Sequence, residues 1–101
     1  MPLIYDEESV PFDDEEELKE FLESVFSELR QNLENAKNSE NSIDVRQRGA
    51  HSIKGTCMML GFDDEWIKEI KEIENDFKSN EIENIEKKLN AFEEKINDSG
   101  Y

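Results

Sequence analysis

The stretch DDEEELKEFLESVFSELRQNLENAK, residues 13–37, decides how the rest of the chain is read. Leu18, Leu22, Val25, Leu29 and Leu33 recur at steps of three or four, and Phe21 and Phe26 widen the stripe. That period puts the apolar side chains on one face of a helix and leaves the acids on the other. Asp13 reads as the N-cap, with Glu16 three residues on in a capping-box pattern. The acids that follow suit the positive end of the helix dipole. The pattern ends near Ala36 and Lys37, and Asn38-Ser39-Glu40-Asn41-Ser42 is a polar connection.

The same period continues along the chain. A second helix is expected from about Ile43 to Leu60, with Ile43, Ala50, Ile53, Cys57 and Leu60 inward and Gly61 as its stop. Its stripe is weaker, because Arg46 and Gln47 occupy a turn where an apolar residue would help. Gly49 and Gly55 lie inside it, each costing about 1 kcal/mol relative to Ala. Asp63 or Asp64 caps a third helix with Trp66, Ile70, Ile73 and Phe77 on its apolar face and Ile67 alongside. Asn80 with Glu83 reads as a capping box for a fourth, carried by Ile82, Ile85, Leu89, Phe92 and Ile96. No run alternates as a strand does. The expectation is an all-α, antiparallel up-down-up-down four-helix bundle over residues 13–101, preceded by a lead segment over residues 1–12.

Composition narrows the function classes. The chain has 101 residues, with 27 acidic against 12 basic side chains and a formal net charge of -15. Such a field repels polyanions, so nucleic acid and anionic membrane are not the expected partners. One cysteine permits no internal disulfide. Met1-Pro2-Leu3-Ile4-Tyr5-Asp6 lacks the basic and apolar regions of a signal peptide, and no run is long enough to span a membrane. A cytoplasmic monomer is expected.

Within this acidic chain, residues 45–62 hold no carboxylate, while Arg46, Arg48, Lys54 and the only histidine, His51, all fall inside. At about 100° per residue, His51 points well away from the face shared by Ala50, Ile53 and Cys57. Lys54 and Gly55, three and four residues on, flank it on the same surface, and Gln47 and Arg48 flank it on the preceding turn. An exposed, unprotonated imidazole nitrogen is a nucleophile. Lys54 supplies positive charge where an anion on that nitrogen would sit, and Gly55 removes a side chain from the approach. Nucleophile, cation and clearance on one face suit phosphoryl transfer.

Ala50-His51-Ser52-Ile53-Lys54-Gly55, then Leu60-Gly61, then Ile73-Glu74 on the next helix, resembles the histidine-containing phosphotransfer (HPt) domain of two-component phosphorelays. The resemblance runs from about Asp13 to the end of the chain. It implies that His51 accepts the phosphoryl group on Nε2, that Lys54 stabilises it and that Gly55 leaves room for the partner. The implied partners are response-regulator receiver domains and a hybrid sensor histidine kinase. The receiver brings the phosphorylated aspartate and Mg²⁺, so the chain itself needs no cofactor or metal and is a carrier rather than an enzyme. Two features depart from the pattern: Arg46-Gln47 stands where an apolar residue is usual, and Gly49 is unusual in that helix.

Plainer readings stand beside these. Arg46 and Arg48 either balance Asp44 and Glu40 or dock an acidic receiver surface. Gln47 is placed to orient the imidazole. Met58, two turns from His51, is either an adaptable docking contact or partly buried. Gly55 either clears the partner's approach or marks a close helix contact. Cys57 lies about 240° around the helix from His51, on the core stripe, which argues against a Cys-His pair. One His and one Cys build no usual zinc site. The alternative function is an HPt-like interaction module that binds a receiver or helical partner without carrying phosphate.

Overall fold

A computed structural model describes residues 14–100. Four helices run in order: α1 Glu15–Lys37, α2 Ile43–Met59, α3 Asp64–Lys78 and α4 Ile85–Asp98. Among the described residues there is no strand, and the molecule is an all-α four-helix bundle. Each helix packs on the next and α4 closes on α1. Between α3 and α4 the contacts run in opposing order, as antiparallel packing requires: Trp66 at the start of α3 meets Phe92 of α4, and Asp76 near the end of α3 meets Lys88. No described helix is long and apolar enough to cross a membrane. The lead segment, residues 1–12, lies outside the described residues.

The helix ends explain the registers. Asp14, not Asp13, caps α1, and its side chain accepts from the Glu16 amide at 2.8 Å. Asp13 itself lies outside the described residues. The carbonyls that α1 leaves unpaired at its other end are taken up in turn. Glu34 O accepts from the Asn38 amide, Asn35 O from the Asn41 side chain at 3.1 Å and Ala36 O from Arg46 Nε at 2.8 Å. Gly61 stops α2 with φ 64°, and the Phe62 amide reaches back to Cys57 O at 2.9 Å. That 6→1 bond turns Phe62 into the core.

Asn80 does the same for α3, so the fourth helix starts later than the capping pattern implies. Asn80 adopts φ 59°, and the Glu81 amide donates to Asp76 O at 2.9 Å. Asn tolerates the left-handed conformation because its side chain bonds locally. Asn80 therefore ends α3 rather than beginning α4. Residues 81–84 are a connection, and Ile82 packs only at the rim of the core.

The interior follows the apolar stripes. Leu22, Phe26, Leu29 and Leu33 of α1 meet Ala50, Ile53 and Cys57 of α2, Ile70, Ile73 and Phe77 of α3, and Ile85, Leu89, Phe92 and Ile96 of α4. Phe62 joins an aromatic cluster at one end. Its ring centre lies 6.0 Å from Phe26 and 5.5 Å, edge to face, from Trp66. Burial pushes the Cys57 thiol up to about 12, so it stays protonated at neutral pH and serves as a small hydrophobe.

Arg46 corrects a sequence expectation. It neither balances Asp44 or Glu40 nor faces a partner: it is buried on the core side of α2. Its Nε is bonded to Ala36 O, and its guanidinium lies 5.2 Å over the ring of Phe77. The aliphatic stem fills the apolar position missing from the α2 stripe, while the head closes the end of α1. Arg46→Ala is expected to destabilise the fold by about 2–3 kcal/mol, from a lost charged hydrogen bond and ring contact. Arg46→Lys should not restore it, because the ammonium lacks the flat face. Urea unfolding checks this, and a midpoint unchanged in either variant would refute it.

Candidate functional site

His51 sits in the middle of α2, on the outer surface toward α3. Its side chain is 65% exposed. Its outward position follows from the helical period, because Ala50 and Ile53 occupy the core on either side. Its Nδ1 lies 3.0 Å from Glu74 Oε1.

Glu74 is the residue that sequence reasoning left without a role. It lies on the apolar stripe of α3, between Ile70 and Phe77, and its carboxylate is 97% buried by the helices and side chains around it (3% exposed). Three cations or donors converge on it. Lys54 Nζ is 2.8 Å from Oε2, Lys78 Nζ is 3.2 Å from Oε1, and His51 Nδ1 shares Oε1. Burial by itself would raise the carboxyl, but hydrogen bonds from Lys54, His51 and Lys78 outweigh it and hold the group at about 2. Glu74 is therefore ionised at any ordinary pH. An ionised carboxylate only accepts, so the proton between the two groups belongs to His51 Nδ1. Nε2 then carries the lone pair, and it is the ring nitrogen farther from Glu74. The signal in the sequence was an acid next to Ile73 on the α3 stripe, four residues before a lysine.

A depressed carboxyl stabilises the fold above its unfolded value and loses that contribution as protons bind. For Glu74 the contribution is full above about pH 4.5 and is lost as the pH falls toward 2. Its size at neutral pH is roughly 2–3 kcal/mol, allowing for solvent around Lys78. In Glu74→Gln the stability deficit relative to wild type should be greatest at neutral pH and should shrink between pH 4.5 and 2. Urea midpoints across that range check this, and a deficit that does not vary with pH would refute it.

The remaining candidates fall in three places. Lys54 is beside His51, but its ammonium is committed to Glu74 rather than held free over Nε2. Gly55 faces open surface: a Cβ placed there meets nothing within 4 Å, so it makes no close helix contact. Met58 is 51% exposed on the same side and Met59 is 71% exposed. Arg48 is exposed, Gln47 is half-buried, and the ring's partner is Glu74 on α3 rather than Gln47 on the preceding turn. Arg46 is absent from this surface, for the reason given above.

Gly49, not Gly55, is the close contact. A Cβ at Gly49 would lie 2.6 Å from Asn32 O and 3.3 Å from Ala36 N, both backbone atoms of α1. This glycine lets α1 and α2 approach closely on the turn before His51. Among the described residues no group of His, Cys, Asp and Glu is arranged to hold a metal ion. No family model, curated protein or solved structure matches this chain.

Proposed function

We propose that this protein is a histidine phosphotransfer domain, a phosphorelay intermediate that takes a phosphoryl group onto His51 Nε2 from a receiver-domain aspartate and passes it to another receiver. One observation carries the reading. A buried, ionised carboxylate holds Nδ1–H of an exposed imidazole and leaves the other nitrogen as a free nucleophile.

The step balances simply. The Nε2 lone pair attacks phosphorus in line with the aspartyl oxygen, a P–N bond forms, the P–O bond to the aspartate breaks, and a carboxylate leaves. The ring gains positive charge as the bond forms. Glu74 lies on the far nitrogen, where its negative charge meets that developing cation. Lys54 has three N–H donors and uses one toward Glu74, so it can share the others with phosphoryl oxygens. Gly55 keeps the approach clear. Mg²⁺ arrives with the receiver, and the chain acts as carrier rather than enzyme. The hybrid kinase that starts such a relay and a cytoplasmic location belong to the same reading.

The test uses receiver domains from the source genome, phosphorylated and incubated with the protein. Base-stable, acid-labile label mapped to His51 is the expected result. A receiver that binds without transferring phosphate would instead identify an interaction module, and phosphate on any other residue would overturn the assignment.

A further inference from the structure

The basic residues around His51 continue from α2 onto α3. On α3, Lys68, Lys71, Asn75 and Lys78 fall at steps of three and four, so they line one exposed face of the helix. Lys71, Asn75 and Lys78 line a concavity together with Lys54 of α2 and one acid, Glu72. Glu74 is buried and already shared among Lys54, Lys78 and His51. Lys68 and Lys71 pair with no carboxylate among the described residues, although Asp64 and Glu72 stand four residues to either side of Lys68. A molecule of charge -15 thus keeps an unpaired lysine, Lys71, in the groove beside its nucleophile and a second, Lys68, on the same exposed face of α3.

We infer that the groove between α2 and α3, with Lys71 lining its α3 side and Lys68 farther along the same exposed helix, is the docking site for an acidic protein surface, and that it sets which side of His51 the partner covers. This rests on the receiver reading for the identity of the partner. A domain delivering phosphoaspartate presents a dianion and the carboxylates that hold its Mg²⁺, so the incoming surface is anionic. Across the groove, α2 offers Met58, a flexible apolar contact, beside the cations. Cations next to exposed methionine suit a protein surface better than a bare phosphate chain. Partner selection then lies on α3, away from the α1 side of His51, where Arg48 stands.

The experiment measures binding and transfer separately. The double variant Lys68→Glu/Lys71→Glu is compared with Lys19→Glu/Lys87→Glu, which changes the net charge equally at exposed positions on α1 and α4. The α3 pair should weaken receiver binding about tenfold at low salt and raise KM for transfer in parallel, with kcat unchanged. The gap should narrow as salt shortens the range of the charges. The control pair should change binding less than about twofold under the same salt conditions. Equal losses in both variants would assign the effect to overall charge and overturn the proposal. So would no loss in either, a fall in kcat alone, or no receiver bound at all. Loss of binding to anionic vesicles or RNA, with receiver affinity intact, would also overturn it. Receiver binding that depends on Lys68 and Lys71 without phosphate reaching His51 would defeat the relay and leave the docking site standing. Transfer insensitive to both lysines would do the reverse.

Discussion

His51→Gln is expected to take up no phosphate from any phosphorylated receiver, while Glu74→Gln is expected to take it up roughly 10- to 100-fold more slowly. The first result tests which atom bonds to phosphorus; the second tests how that atom is prepared. Glutamine at position 74 keeps the shape of the side chain and its carbonyl can still accept from Nδ1–H. What it lacks is the negative charge, which fixes the proton on Nδ1 and stabilises the ring as it becomes cationic. The loss should therefore appear in kcat. KM for the receiver should hardly move, because Glu74 is buried and lies beneath the docking surface rather than on it. Lys54 and Lys78 lose their shared partner in the same variant, so it should also be less stable at neutral pH. Transfer rates are compared at a temperature where circular dichroism shows both proteins fully helical. Wild-type kcat in Glu74→Gln would refute the role assigned to the carboxylate; label in His51→Gln would refute the phosphoacceptor.

Gly49→Ala and Gly55→Ala should move stability in opposite directions, although both replace a glycine in one helix. At Gly49 the new methyl meets the Asn32 carbonyl at 2.6 Å, and backbone of a neighbouring helix has no rotamer by which to retreat. Overpacking of that kind costs about 1–3 kcal/mol, which outweighs the gain of about 1 kcal/mol in helix propensity. At Gly55 nothing lies within 4 Å, so only the propensity gain remains. The expected outcome is a domain destabilised by up to about 2 kcal/mol in the first variant and stabilised by up to about 1 kcal/mol in the second. For a domain of this size that corresponds to Tm shifts of about 4–8 °C per kcal/mol. Thermal and urea unfolding read both. A Gly49→Ala protein more stable than wild type would show that α1 and α2 are not in close contact there. Because Gly49 lies on the turn before His51, separating the helices should also slow transfer; Gly55→Ala should slow it as well, by narrowing the partner's approach, even as it raises stability.

The fold was legible because four segments carry the helical period without interruption over most of their length. Leu18 to Leu33 and Ile85 to Ile96 need nothing from elsewhere in the chain to define a face. The start of α4 was misplaced because Asn80 satisfies two patterns, an N-cap with Glu83 and a left-handed stop after Phe77. The choice lies with a bond to Asp76 O that no spacing reveals. Arg46 was misread for a related reason. A charged residue on the α2 stripe looks like an outward interruption until the unpaired Ala36 carbonyl and the Phe77 ring are found beside it.

By itself the sequence determined the four helices, the outward direction of His51 and the basic character of its surroundings, since period and composition are local properties of the chain. The tertiary structure decided what holds His51. Glu74 is 23 residues away, on another helix. Only packing of α2 on α3 takes it out of water with Lys54, Lys78 and the imidazole as its partners. The same packing distinguished the two glycines and brought Lys71 into one concavity with Lys54. Burial and cross-helix distance arise between segments, so they become readable only when the segments meet.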